Sequence, residues 1–103
     1  MIKVKIFYQD DGKITGFDVA GHSGTAVAGE DIVCAGVSSL TDSAFLGITE
    51  YLHRTVSYED SSGKLKMQLK DCPDDRTEAI LNTMLLGLTA IAEAYPKAVR
   101  ILK

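Results

Sequence analysis

Hydrophobic residues along this chain recur at two different spacings, and the switches between them constrain the fold more than any other feature of the sequence. A spacing of about two residues is typical of a strand with one buried face, and a spacing of about three or four is typical of an amphipathic helix. The shorter spacing over residues 1–8 and 14–20, with turn residues between them, predicts a hairpin. The same spacing over residues 55–59 and 64–70 predicts a second hairpin.

Helical spacing follows each hairpin. An apolar stripe predicts one helix over residues 31–52, with Asp31 as its N-cap. A second helix is predicted over residues 73–95, where a proline and acidic residues suit the first turn, and alternation at residues 99–101 predicts a last short strand. The order ββαββαβ defines the fold class as α+β, with two helices packed on an antiparallel or mixed sheet. The stripe of the first helix comprises Val33, Val37, Leu40, Ala44, Ile48 and Leu52.

The second predicted helix is apolar around more of its circumference than one neighbouring element covers. It is therefore either sandwiched inside the fold or shared with a second copy of the chain in a homodimer. Its main stripe is Ile80, Met84, Leu88 and Ile91, and the additional apolar residues are Leu81, Leu85 and Ala92.

Length and composition predict one ordinary folded domain over residues 1–103. The hydrophobic fraction of 46% and the charged fraction of 24% exclude a disordered chain and a membrane-embedded protein. The N-terminus alternates apolar residues with lysines, unlike a signal peptide, and no run approaches the ~20 apolar residues of a membrane span. We therefore predict a cytoplasmic protein that does not engage a membrane.

Charge and cysteine content narrow the classes of partner and cofactor. The net charge is −3, and the lysines are spread along the predicted strands rather than gathered in one block, so direct nucleic-acid binding is not expected. Without an export signal, Cys34 and Cys72 are predicted to remain thiols rather than to form a disulfide.

The segment that carries recognisable chemistry contains Gly-His-Ser-Gly at residues 21–24 and Gly-Glu-Asp-Ile-Val-Cys-Ala-Gly-Val-Ser at residues 29–38. With Asp31 as the cap, Cys34 falls in the first helical turn, whose unpaired N–H groups and positive dipole end stabilise a thiolate. An imidazole can take the proton of a thiol and return it to a leaving amine, and His22 lies in the glycine-rich loop that leads into the helix. Cys34 is thus a candidate nucleophile and His22 its acid/base partner. Candidate hinges and substrate-loop positions are Gly21, Gly24 and Gly29.

Asp31 and Ser38 share a helix face with Cys34, because they lie three residues before it and four after it. Asp31 has two interpretations, a helix cap or the group that orients His22. Ser38 either bonds substrate or bonds back to its own helix.

Alternative uses of these residues remain open at this point. A cysteine near a helix start is often only buried packing, and a histidine in a glycine loop is often only solvated. A zinc site built from His22, Cys34, His53 and Cys72 is disfavoured, because no two of these lie within four residues of each other, whereas structural zinc ligands come in close pairs. We predict no metal and no cofactor.

The two blocks at residues 21–24 and 29–38 resemble the ribosomal-processing cysteine protease family known as Prp, and the likeness extends over the whole chain. The resemblance implies a His22–Cys34 catalytic dyad, with Asp31 and Ser38 at motif positions and the glycine loop as a flap over substrate. It also implies a homodimer in the bacterial cytoplasm that removes the N-terminal extension of large-subunit ribosomal protein twenty-seven. Ser23 and Gly36 stand where alanine is as frequent in the family, and a glycine at position 36 could let substrate approach the helix.

Two other functions fit the same scaffold from the residues alone. One is a non-enzymatic dimeric binding module associated with ribosome assembly. The other is a thiol redox or acyl-transfer enzyme that uses Cys34. A thiol that alkylates rapidly separates the enzymes from the module, and peptide cleavage separates the protease from the other enzyme.

Overall fold

The structure is a computed structural model that describes residues 1–21 and 28–102, with the side chains of residues 28–31 excepted. The described residues form the predicted order ββαββαβ. The helix α1 continues into a π-helical turn at Gly47–Tyr51. The elements are β1 Ile2–Tyr8, β2 Ile14–Ala20, α1 Ala28–Leu46, β3 Val56–Ser61, β4 Lys64–Leu69, α2 Asp75–Ala94 and β5 Val99–Leu102.

The strands form one mixed sheet in the order β3-β4-β2-β1-β5. The two hairpins, β1–β2 and β3–β4, are antiparallel, and β2 pairs antiparallel with β4 between them. β5 returns parallel to β1 after α2. The predicted α+β class with a mixed sheet is confirmed.

Both helices cover the same face of the sheet, and the core lies between them and the strands. Alternation puts Val4, Phe17 and Met67 on the covered face of β1, β2 and β4, where each is fully buried. Ile48 and Leu81 bury against them from the helical layer. Neither of the two described helices lies over the opposite face of the sheet, and one wet face is common for antiparallel sheets.

The two helices pack closely where one of them has a glycine. A Cβ added at Gly87 would lie 2.9 Å from the Leu40 side chain, and one added at Gly36 would lie 3.3 Å from Ile91 Cδ1. Gly36 therefore faces α2, and the interpretation that it admits substrate is wrong. The small residue serves helix packing instead.

The predicted start of α1 is wrong, because the helix begins at Ala28 rather than after Asp31. Asp31 is then the fourth helical residue and not the N-cap, and Cys34 lies in the second turn rather than the first. An acidic residue is favourable throughout the first turn as well as at the cap, so the sequence signal fitted both positions.

The other helix boundaries also differ in detail. The first helix does not run regularly to Leu52, because a π-helical turn begins at Gly47, a residue with low helix propensity. α2 begins at Asp75, so Pro73 precedes the helix instead of opening it. The N-cap is Asp74, whose carboxylate accepts from the backbone of Thr77 while the Thr77 hydroxyl accepts from the backbone of Asp74, a reciprocal capping box.

One described segment, Ile32–Tyr51, has the length and apolar composition of a membrane span, which corrects the prediction that no run approaches that length. Four of its apolar side chains, Val33, Val37, Ala44 and Ile48, are buried in the core. Others in the same segment, Ile32, Leu46 and Tyr51, are exposed.

Candidate active site

A cleft of about 210 Å³ opens between the N-terminal half of α1 and one end of the sheet. α1 contributes one wall, and the end of β2 and the β3–β4 turn contribute the other. The lining residues are Ile2, Val19, Gly21, Cys34, Val37, Ser38, Thr41, Asp42, Asp60, Ser61, Gly63, Lys64 and Leu65.

Helical spacing places Cys34 at the boundary between core and cleft. Val33 and Val37, each 2% exposed, fix the buried face of α1. Cys34 is rotated from that face, so it is half-buried, packs partly against the core and lines the cleft. The thiol therefore lies where a ligand in the cleft can reach it.

Cys72 has a different environment. It is exposed in the segment before α2, and it is not among the residues that line the cleft. Its carbonyl oxygen accepts from the Arg54 guanidinium, which also pairs with Asp71 and Asp74. Cys34 and Cys72 are not joined by a disulfide.

Ser38, one turn after Cys34, is exposed and lines the same cleft. The predicted shared face of Cys34 and Ser38 is therefore present. Ser38 also contributes its backbone, since its carbonyl oxygen accepts from Thr41 Oγ1 at 3.3 Å.

Gly21 ends β2 at the mouth of the cleft with a φ of 103°, a left-handed conformation that favours glycine. Its N–H donates to Gly63 O at 2.9 Å, and a Cβ here would collide with the Met1 carbonyl. Gly21 thus anchors the point where the chain leaves the sheet towards α1.

Four predicted site residues remain, which are His22, Gly24, Gly29 and Asp31. His22 and Gly24 lie outside the described residues, as does the side chain of Asp31, whose backbone belongs to α1. Gly29 lies in the first turn of α1 rather than in a loop, and its contact with substrate stays a prediction. The acidic first turn after it, Glu30 and Asp31, favours helix at this point.

Sequence reasoning missed five polar residues of the cleft, which are Thr41, Asp42, Asp60, Ser61 and Lys64. Thr41, only 2% exposed, donates to Val37 O at 3.1 Å, and Asp42 follows it at the rim. Both could have been found, because they continue the helical spacing from Cys34. Asp60 and Lys64 come from the β3–β4 hairpin, and only the strand order brings them to α1.

This arrangement offers a thiol, three hydroxyls and a few charged groups in an open cleft, which suits nucleophilic chemistry on a polar substrate. Among residues 1–21 and 28–102 there is no group of three or more His, Cys, Asp or Glu side chains placed to hold a metal ion.

Comparisons with known proteins agree with this chemistry. The family described as cysteine protease Prp matches residues 1–100. The ribosomal processing cysteine protease Prp of Staphylococcus aureus is 35% identical over 104 residues, which cover 98% of this chain and 97% of the relative.

Solved structures are similar over nearly the whole chain. The S. aureus Prp with a covalently linked product peptide has a TM-score of 0.87 at 32% identity, covering 98% of this chain and 97% of that one. The S. aureus Prp with a substrate peptide has a TM-score of 0.88 at 30% identity, covering 99% and 98%. A Streptococcus mutans protein has a TM-score of 0.85 at 28% identity, covering 98% and 91%. This chain belongs to the Prp family of cysteine proteases and is a hydrolase of that class.

Proposed function

We propose that this chain removes the N-terminal extension of large-subunit ribosomal protein twenty-seven during ribosome maturation, with Cys34 as nucleophile and His22 as acid/base. The observation that carries the proposal is the position of Cys34 in the cleft, whereas Cys72 lies outside it. The relatives named as ribosomal processing proteases, one of them solved with a substrate peptide, support the substrate class.

The reaction follows from thiol chemistry. His22 takes the proton of Cys34, and the sulfur attacks the scissile carbonyl carbon to form a tetrahedral intermediate. The carbon–nitrogen bond then breaks as His22 gives the proton to the leaving amine, which leaves a thioester at Cys34. Water, deprotonated by His22, hydrolyses the thioester and restores the thiol. No cofactor takes part in these steps.

The oxyanion of the intermediate needs N–H donors, and the fold restricts where they come from. Gly21 N–H already donates to Gly63 O. Cys34 lies in the second turn of α1, where a backbone N–H bonds within the helix. The first turn of α1, residues 28–31, has N–H groups without intrahelical acceptors. These and the segment at residues 22–27 are the proposed source of the oxyanion donors.

Asp31 and Ser38 have supporting roles in this proposal. Asp31 lies in the first turn of α1, and its proposed role is to orient His22. Ser38, on the cleft wall, is positioned to hydrogen-bond a substrate backbone.

We also propose that the protein acts as a homodimer in the cytoplasm, as one protease domain over residues 1–103. Ribosomal processing requires access to ribosomal proteins, which supports the location. Family membership favours this function over a non-enzymatic module and over a thiol redox or acyl-transfer enzyme.

The substrate is tested by mass spectrometry of the extended ribosomal protein before and after incubation with this chain. We expect one cut that releases the N-terminal extension. The matched control is the same ribosomal protein without its extension, which should stay intact. Cleavage of both forms at scattered positions would contradict a processing function.

A further inference from the structure

The face of the sheet turned away from the helices collects cations that are far apart in the sequence. Lys3 and Lys5 of β1 alternate with buried residues, as do Lys64 and Lys66 of β4, so all four lie on the open face. Arg100 of β5 pairs with Lys3 in the parallel ladder and lies on the same side. We call these five residues the basic face.

The strand register places three of these cations in one row. Ala20 of β2 lies between two of them in the register, with Lys64 of β4 on one side and Lys3 of β1 on the other. Lys3 is in turn paired with Arg100, about 4.8 Å away across the ladder. Like charges directly opposite each other destabilise a sheet, and no carboxylate belongs to this row among the residues the structure describes. A surface selected only for solubility would alternate the signs.

The two carboxylates on the open face lie in the neighbouring row. In the strand register Asp18 lies opposite Lys5 of β1 and Lys66 of β4, and its Oδ1 is buried. Glu59 makes the one ion pair found for the basic face within the described chain, a contact of 4.0 Å to Lys64. An exposed pair of that length contributes little. The chain as a whole carries a net charge of −3, so the basic face does not reflect a general excess of cations.

An aromatic ring lies on the same face. Phe7 of β1 is half-buried, and Lys66 Nζ lies 5.8 Å from the centre of its ring. The residue paired with Phe7 on β2 is Gly16, so no side chain stands beside the ring on that strand. The amino group lies over the ring, so a nucleic-acid base stacks on Phe7 once the flexible Lys66 side chain moves aside to a phosphate.

We propose that the basic face binds single-stranded RNA, with phosphates along the row of Lys64, Lys3 and Arg100 and a base on Phe7. A membrane surface fits less well, because interfacial binding also requires a continuous apolar surface to insert. An acidic peptide would use the cations but not the ring. This proposal departs from the sequence prediction of no nucleic-acid binding, because lysines dispersed in the sequence converge when their strands pair.

The RNA site and the catalytic cleft share one residue, Lys64. The cleft lies on the helical side of the sheet, and neither Lys3 nor Arg100 lines it. Lys64 lines both surfaces and is therefore left unchanged in the test.

The test is fluorescence anisotropy of a labelled single-stranded RNA of mixed sequence, titrated with the full chain at several salt concentrations. With phosphate contacts from Lys64, Lys3 and Arg100, raising salt from about 50 to about 200 mM should weaken binding roughly 20-fold. Lys3→Gln/Arg100→Gln should weaken binding at least about 10-fold at low salt and lower the salt exponent by about 1.4. Phe7→Leu should weaken binding about 5-fold or more without changing that exponent.

The matched control is Arg76→Gln/Lys97→Gln, which removes the same charge from exposed residues outside the strands. It should change the affinity for RNA less than about 2-fold, since no phosphate contact is lost. Peptide cleavage by the Lys3→Gln/Arg100→Gln variant should equal that of the unmodified protein, which separates failure of the RNA site from failure of the protease proposal. Absence of saturable RNA binding at low salt would overturn the proposal. A loss of RNA affinity in the control variant equal to that in Lys3→Gln/Arg100→Gln would also overturn it. Tighter binding of the chain to phosphatidylserine vesicles than to RNA would overturn it as well.

Discussion

Cys34 and Val33 are neighbours in sequence, yet the helix sends one side chain to the cleft and the other to the core. This division follows from helical spacing around Val33 and Val37, both 2% exposed. Cys34 lies in the second turn of α1, beyond the turn where the dipole acts most strongly. Activation of the thiol therefore depends mainly on His22 in our account.

The rates at which the two thiols are alkylated distinguish chemical activation of a thiol from its exposure to solvent. Cys72 is exposed and Cys34 only half-buried, so access alone favours Cys72. We expect iodoacetamide to modify Cys34 faster than Cys72 below pH 7, because an imidazole partner maintains the thiolate. Peptide mass mapping gives the two rates. In His22→Ala the order should reverse, and a faster Cys72 in the unmodified protein would contradict an activated Cys34.

Asp31→Asn tests whether the carboxylate orients the histidine. Loss of the charge should lower kcat about 10-fold or more, because the imidazolium that forms during attack loses its stabilising partner. The melting temperature should change little, since Asp31 is not the N-cap. Steady-state cleavage of a substrate peptide measures this, with Asp42→Asn on the same helix as control. Equal turnover in the two variants would leave Asp31 without a catalytic role.

Among the elements that the structure describes, the sequence periods predict the five strands and both α-helices, because all of these except the exposed edge strand β3 have one face in the core and one outside it. The residues at which the helices begin are predicted less accurately. Acidic residues fit both the cap and the first turn, so the start of α1 was placed three residues late. Pro73 fits position N1, yet the reciprocal bonds of Asp74 and Thr77 set the start of α2. Such local competition is decided by side-chain geometry that a linear pattern does not contain.

Carboxyl groups at the start of α2 make the stability of the fold decrease at acid pH. Hydrogen bonds from the backbone of Thr77 and Arg76, with the nearby Arg54, lower the pKa of Asp74. A hydrogen bond from Arg54 likewise lowers the pKa of Asp71. A carboxyl group whose pKa is lower in the folded state stabilises the fold above its unfolded pKa and loses that contribution as pH falls through the folded value. We therefore expect the melting temperature to fall below about pH 4.

Two substitutions at Asp74 separate the cap from the charge. Asp74→Asn keeps an acceptor for the helix N–H groups, so the melting temperature at pH 7 should stay close to that of the unmodified protein while the acid dependence weakens. Asp74→Ala loses the cap and should melt a few degrees lower at neutral pH as well. Calorimetric scans at neutral and acid pH measure both effects. A melting temperature of Asp74→Ala equal to that of Asp74→Asn at neutral pH would argue against the cap.

At the scale of the whole molecule, the sheet order decides which residues meet. The sequence predicted Cys34 and Ser38 on one face but gave no sign that Asp60 and Lys64 close the same cleft, because β4 pairs with β2 across a long connection. The basic face arises in the same way. Pairing between distant segments is set by the packed core as a whole. The periodicity of the sequence therefore predicts the strands and helices but not which strands lie next to each other.

Apolar groups remain outside the core on the helical side. Leu86 of α2 is 72% exposed and Leu46 of α1 is 53% exposed, beside an apolar groove lined by Leu40, Ile80 and Met84. Such a surface is typical of an interface. We expect sedimentation at micromolar concentration to give twice the chain mass of 11.1 kDa. Leu86→Glu should shift the protein to the monomer mass, whereas Leu102→Glu on the opposite side of the sheet should not. A monomeric unmodified protein would contradict the homodimer.

In the proposed reaction Cys34 forms the covalent intermediate. The most direct test is cleavage of the extended ribosomal protein by paired cysteine variants, followed by intact-mass spectrometry. Cys34→Ala should lower the cleavage rate by a factor of at least about 10³, because the nucleophile is lost. Cys72→Ala should cleave at the rate of the unmodified protein, since Cys72 lies outside the cleft. Trimming by Cys34→Ala at the unmodified rate, with loss of trimming in Cys72→Ala, would contradict the account.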